Sequence, residues 1–183
     1  MLLCRVFPYL DDAGEGEPGH ALHVHPVQGG GRWDNPSLYR TCYLATSPEA
    51  AIGEAFGNLV TWTPAMLVFP GLPGSQRRLG VYRFDGEANP LIDLDDAHVL
   101  AERCIRPTDV VVRNRPRTQE IAAGIYNERK WSGIRWWSYH RPQWSLVALW
   151  TADKLTVVSV DPIGGQAGLE VASTVLAKLR TGI

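Results

Sequence analysis

The chain has 183 residues, enough for one domain whose core needs neither disulfides nor a metal to hold it. Hydrophobic residues make up 45% and charged residues 20%, which excludes a disordered chain. Lys and Arg number 18 against 19 Asp and Glu, a formal net charge of −1, which argues against a general nucleic-acid or anionic-membrane binder.

Leu2–Phe7 is short, apolar and β-prone and predicts a strand. Asp11–Gly19 is a Gly/Asp/Glu/Pro loop, and the alternation over Ala21–His25 predicts a second strand. Val27–Tyr39 opens on Gly29-Gly30-Gly31 and continues through Asp34, Asn35 and Pro36, so it reads as a long irregular loop of the kind that is often functional. Thr41–Ala45 is a strand. Thr46-Ser47-Pro48-Glu49 then starts a helix, with Ser47 capping ahead of Pro48 or Thr46 capping with Glu49. Ala51, Ile52, Ala55 and Phe56 recur at helical spacing, and Gly57 is the stop. Val81–Phe84 and Leu91–Leu94 predict strands, and Asp95–Arg103 a short helix. Thr118 predicts the cap of a helix running to about Lys130. Strands at Ile134–Ser138, Leu146–Trp150 and Leu155–Val160 follow, then an amphipathic helix from Ala167 to Arg180. Strands and helices mix without a βαβ rhythm, which predicts an α+β fold with mostly antiparallel pairing, in one domain over residues 1–183.

Cys4, Cys42 and Cys104 are odd in number and widely spaced, which fits reduced thiols in a cytoplasmic protein rather than a disulfide frame or a zinc site. The N-terminal apolar run is cut by Arg5 and stopped by Pro8, unlike a signal peptide. No window approaches the roughly 18 apolar residues of a membrane span, so no membrane association is expected.

Phosphate-loop, nucleophile-elbow and zinc-protease motifs are absent from the sequence. His23 and His25 share a face if their segment is a strand, with His20 near, but a third ligand at metal spacing is not evident, and no metal is expected. Arg32 follows three glycines, which let the backbone approach a ligand while an Arg fork grips phosphate; pairing with Asp34 is the alternative. Glu54 is a carboxylate among small residues, either functional or a solvated helical Glu. Tyr43 either lines a cleft or packs a second face of its strand. Lys130–Trp144 interleaves Trp131, Trp136, Trp137 and Trp144 with Arg135, His140 and Arg141, which suits base stacking or plain core packing. Ser138 has no local base partner and is no obvious nucleophile.

The order of these features resembles the RES domain family, named for an Arg, a Glu and a Ser. Gly30-Gly31-Arg32-Trp33-Asp34-Asn35-Pro36, Cys42-Tyr43-Leu44-Ala45 and Glu54 carry the resemblance most specifically, and Trp131-Ser132-Gly133-Ile134 through Ser138 comes second. It is strongest over residues 5–160. Asp34 is a departure, since many members have Asn-Pro directly after the aromatic. The resemblance implies a fold like that of ADP-ribosyltransferase toxins, with a split, mostly antiparallel sheet and short flanking helices. It implies NAD+ as the substrate, no metal, and degradation of NAD+ by hydrolysis or phosphorolysis. It also implies that the chain is a candidate toxin with a helix-turn-helix antitoxin as partner and no direct nucleic-acid contact; a homodimer is left open.

On this reading Arg32, Glu54 and Ser138 are the name-giving catalytic residues, and Arg5 and Tyr43 match two more active-site positions. Arg5 and Arg32 would pair with the diphosphate, Tyr43 would stack on the nicotinamide or its ribose, and Ser138 would orient Glu54 or the ribose. Glu54 would face the oxocarbenium that forms at the ribose. The tryptophans of Trp131–Trp137 would pack so as to position Ser138. Transfer of ADP-ribose to a protein, or an idle nucleotide-binding or interaction module, are the rival readings.

Overall fold

Leu2–Tyr9 forms the first strand, β1, with Leu3, Cys4 and Phe7 buried. In the computed structural model, which describes residues 1–183, the other elements follow in chain order. They are β2 (Cys42–Ala45), α1 (Pro48–Phe56), β3 (Thr61–Trp62), a 3₁₀ turn at Pro64–Leu67, β4 (Gln76–Phe84), β5 (Leu91–Asp93), α2 (Ala97–Glu102) and α3 (Pro107–Val111). Then come α4 (Arg115–Asn127), β6 (Gly133–Trp137), β7 (Ser145–Leu149), β8 (Leu155–Pro162), α5 (Ala167–Val175) and β9 (Leu179–Arg180). The chain divides into two units, Met1–His23 with Ala45–Phe84 and Leu155–Ile183, and Val24–Leu44 with Asp85–Lys154.

In the first unit β1 runs antiparallel to β4 over its whole length, from Leu2 opposite Arg83 to Tyr9 opposite Gln76. β8 pairs antiparallel with β4, with an irregularity between Val81 and Tyr82, and Ala45 pairs with Cys4. α1 starts where the sequence says it should. Ser47 is extended, its Oγ accepts the Ala50 N–H at 3.4 Å, and Pro48 fills the first helical position, where no N–H is needed. The helix buries Ala50, Ala51, Ile52 and Phe56 and packs on β1. α5 packs on α1 in turn, through Gly168, where a Cβ would sit 2.9 Å from that of Pro48. Trp62 is fully buried edge-on to Phe56, and its Nε1 donates to the Phe56 carbonyl at 3.1 Å.

In the second unit the strand order is β5-β6-β7-β2. β5 and β6 are parallel, and β6 and β7 antiparallel from Gly133 opposite Leu149 to Trp137 opposite Ser145. Gly133 is obligatory there, because a Cβ would collide with the Ala148 carbonyl. Ile92, Leu94, Ile134, Trp136, Val147 and Leu149 form the core with Trp33, Val110, Ala122 and Ile125. The expected α+β class with mostly antiparallel pairing holds. No helix is long and apolar enough to cross a membrane.

Three expected elements differ. Ala21–His25 is not a strand: His23 N–H donates to His20 O at 3.0 Å and Leu22 N–H to His20 Nδ1 at 3.2 Å, so the segment turns instead of extending. The cap of α4 is Asn114, whose Oδ1 accepts Arg117 N–H at 3.3 Å; Thr118 lies inside the helix, buried, with its hydroxyl on the Arg115 carbonyl at 3.1 Å. Asn and Thr are both good caps, and Pro116 fits the first turn, which moves the start one turn earlier. The last helix stops at Val175, not Arg180. Ala177 adopts φ 50°, its N–H bonds Thr174 O, and Lys178 N–H bonds Ser173 O. That is a Schellman closure made with Ala where Gly is usual. The residues beyond it form β9, parallel to β3.

Candidate functional site

The Gly-Gly-Arg loop is built around Asp34. This carboxylate is buried; its Oδ2 accepts the N–H groups of Gly29 and Gly31 at 2.9 and 2.7 Å, and its Oδ1 accepts the Tyr43 hydroxyl at 2.8 Å. Three hydrogen bonds to one buried carboxylate satisfy a group that would otherwise be costly to desolvate. Trp33 N–H donates to the same Tyr43 hydroxyl at 2.9 Å. Gly31 cannot be larger, since a Cβ would lie 2.5 Å from both Asp34 Oδ1 and Tyr43 Oη. Trp33 is fully buried, its ring edge-on to Trp136 at 5.5 Å. Its carbonyl accepts the Tyr39 hydroxyl at 2.6 Å.

Tyr43 is thus a clamp on the loop. Burial, then the Asp34 charge, pushes its phenol well above the ordinary tyrosine range, so it stays a donor to Asp34. Tyr39 is pushed up to about 12, first by burial. The Tyr43 and Trp136 rings meet nearly perpendicular, their centroids 6.3 Å apart.

Arg32 is half-buried, and its Nη1 donates to the carbonyls of Val110 and Val112 at 2.8 and 2.7 Å. Those carbonyls close the C-terminal turn of α3, where a cation is favoured.

Ser138 follows β6 and is fully buried. Its Oγ accepts the N–H groups of His140 and Arg141 at 2.9 and 3.3 Å, and its own N–H donates to Trp144 O at 2.8 Å. It therefore shapes the 138–144 turn. Trp136, two residues before it, is buried against Trp33 and Tyr43, so this tryptophan ties β6 to the glycine loop. Trp131 and Trp150 serve the far end of the strand pair, Trp131 Nε1 on Glu128 and Trp150 Nε1 on the Trp131 carbonyl.

In the first unit Arg5 sits on β1 and Glu54 on α1, which packs against that strand. Arg5 Nη1 donates to the His23 carbonyl at 3.0 Å, and its guanidinium lies 5.9 Å from the Phe7 ring centre. Glu54 is half-buried in the second turn of α1. On the other face of β1, burial and then Glu49 push the Cys4 thiol up to about 11, so it is a neutral, packed group. The histidines serve the loops: His20 Nδ1 accepts Leu22 N–H, His23 Nδ1 lies 2.9 Å from Gly16 O, and His25 Nδ1 lies 3.0 Å from Val27 O.

The RES domain profile matches residues 15–167. This chain belongs to the RES domain family. The matched span of the RES domain holds Arg32, Tyr43, Glu54 and Ser138, while Arg5 lies ahead of it. Among solved structures, a chain of the M. tuberculosis MbcT–MbcA toxin–antitoxin complex resembles it with a TM-score of 0.66 at 16% identity, covering 94% of this chain and 88% of that one. No curated protein matches.

Arg32 and Tyr43 are expected from the sequence, but Asp34, the centre of the glycine loop, is not. The signal was present: a Gly-x-Gly run followed by Asp three residues after the second Gly is an arrangement in which a short carboxylate can gather loop amides. Arg115 and Gln119 were also missed. Arg115 Nε donates to Gly30 O at 3.1 Å, and Gln119 Nε2 to Gly29 O and Gly31 O at 2.9 and 3.0 Å. Nothing local marks these residues, because their partners lie 85–90 positions away.

Proposed function

We propose that this RES domain breaks the nicotinamide–ribose bond of NAD+ and so depletes the dinucleotide. The reading is carried by the loop that presents Arg32. It lies inside the matched span, it is fixed by Asp34 and Tyr43, and its triple glycine gives a backbone that a diphosphate can approach.

In the reaction the C1′–N bond breaks heterolytically. The electron pair goes to the pyridinium nitrogen, leaving neutral nicotinamide and an oxocarbenium at C1′. Glu54 supplies the negative charge that stabilises this cation. Water or phosphate then adds to C1′; with water, the proton is released to solvent. Arg5 and Arg32 pair with the diphosphate, and charge-assisted pairs of this kind also set orientation. Tyr43 keeps the loop in place and stacks on the nicotinamide or its ribose. Ser138 orients the ribose through its hydroxyl while shaping its own turn.

The fold likeness to a chain of a toxin–antitoxin complex supports a toxin role with an antitoxin protein as the partner; a helix-turn-helix antitoxin and a cytoplasmic site of action rest on the family resemblance alone.

The test is product analysis of NAD+ incubated with the pure protein, with and without phosphate. Nicotinamide with ADP-ribose, or with ADP-ribose phosphorylated at the carbon that bore the nicotinamide, supports degradation. Label from NAD+ on protein would show transfer instead. Saturable NAD+ binding with no product in either buffer would show an idle binding module and overturn the reading.

A further inference from the structure

The glycine loop is held from two sides. From within, Asp34 takes the N–H groups of Gly29 and Gly31. From without, α4 takes the carbonyls of all three glycines: Arg115 Nε holds Gly30 O, and the single Gln119 amide nitrogen holds both Gly29 O and Gly31 O. Arg115 and Gln119 are four residues apart, so they share one face of the helix. The grip is reciprocal. Asn35 Nδ2 donates to the Gln119 backbone carbonyl at 3.0 Å, and Arg32 Nη1 donates to Val110 O and Val112 O just ahead of α4. Because Gln119 bridges the carbonyls on either side of Gly30, it sets the curvature of the loop immediately before Arg32.

We propose that Gln119 is a positioning residue for the NAD+ reaction: its side-chain amide fixes the Gly29–Gly31 carbonyls and thereby the place of Arg32. The inference rests on the proposed function, and it adds a residue to which the sequence resemblance assigns no role. Arg115 supports the same loop at one point, so Gln119, with two bonds, is the residue whose loss frees most of it.

Two variants and two readouts test it. Gln119→Ala removes both donors; Gln119→Glu keeps the shape but sets a carboxylate against two carbonyls. In amide hydrogen exchange of the full-length protein, residues 28–34 exchange faster in both variants while β6 and β7 do not change. In NAD+ consumption, KM rises about tenfold with kcat within about twofold, the loss expected when two hydrogen bonds that hold a substrate ligand are removed. The same change made in an Arg32→Ala background adds nothing, because Gln119 acts through Arg32. The inference is overturned if KM and loop exchange match the wild type, or if the Gln119→Ala effect adds in full to that of Arg32→Ala. A merely structural glutamine would lower the melting temperature without separating KM from kcat. Wild-type protein that consumes no NAD+ sinks the proposed function itself, and with it the positioning role. Failure of this inference alone shows as an active wild type and an unaltered Gln119→Ala variant.

Discussion

The helix that carries Glu54 and the loop that carries Arg32 are stabilised in opposite ways. α1 is local: Ser47 caps it, Pro48 opens it, Glu49 sits in its first turn, and its small buried face fits β1. Every one of those determinants lies within ten residues. The Gly29–Asp34 loop has no repeating backbone pattern, and its polar groups are met by Asp34 and Tyr43 nearby and by Arg115 and Gln119 far along the chain. A group carried on α1 inherits its place from helix geometry. A group carried on the loop is placed by a set of hydrogen bonds that must all be made. Substitutions on α1 should therefore separate chemistry from stability, and substitutions in the loop should join them.

The largest effect should come from the α1 carboxylate. Glu54→Gln keeps size and helix propensity, so folding is expected to stay as it is. NAD+ consumption should fall by roughly 10²–10³, the usual loss when one preorganised electrostatic group is removed. Wild-type turnover in purified Glu54→Gln would mean the carboxylate does no chemistry. The counterpart in the loop is Gly31→Ala. Its Cβ would lie 2.5 Å from Asp34 Oδ1 and Tyr43 Oη, so the clamp must open. Overpacking of this sort costs about 1–3 kcal/mol, and here activity and melting temperature should fall together. A Gly31→Ala protein with full activity would show that the clamp does not govern the loop.

This contrast also explains what could be read in the sequence. The ends of α1, Pro48 and Phe56, follow from the Ser-Pro start and the Gly57 stop, and the strands around Val81, Leu91, Ile134, Leu146 and Leu155 follow from runs of β-branched and apolar residues. Arg32, Tyr43, Glu54 and Ser138 within the matched span, and Arg5 ahead of it, are proposed for the site from their motifs. What was not legible is what they touch. His23 and His25 look like part of an alternating strand until the side chain of His20 takes a main-chain N–H and turns the chain. The end of α5 looks helical because Leu176 and Leu179 keep the period, yet Ala177 leaves the helix in a conformation normally given to Gly. Arg115 and Gln119 could be assigned only once the chain had folded, because they bond to backbone groups 85–90 positions away, and backbone groups carry no sequence signal.

Tyr43→Phe gives a smaller and more discriminating effect. The ring still packs on Trp136, but Trp33 N–H loses its acceptor and Asp34 Oδ1 loses a donor. Leaving buried polar groups unmet typically costs about 1–3 kcal/mol. Thermal unfolding should report that loss, and KM for NAD+ should rise with it. Loss of stability at constant KM would show that the hydroxyl supports the fold without governing the loop that carries Arg32.

The smallest effect is expected at the start of α1, and it puts the local half of the comparison at risk. Ser47→Ala removes one cap whose hydrogen bond is long, 3.4 Å. Cap losses run from about 0.5 to 2 kcal/mol, and the length of this bond places it near about 0.5 kcal/mol. For a chain of this size that is a fall of roughly 1–2 °C in melting temperature. Pro48 and Glu49 still favour the first turn, and the buried face of α1 is untouched, so Glu54 keeps its place. NAD+ consumption per folded molecule should therefore equal that of the wild type. If Ser47→Ala instead loses tenfold in rate while its melting temperature barely moves, the position of Glu54 depends on the helix start, and α1 belongs with the glycine loop as a part whose chemistry and hydrogen bonding cannot be separated.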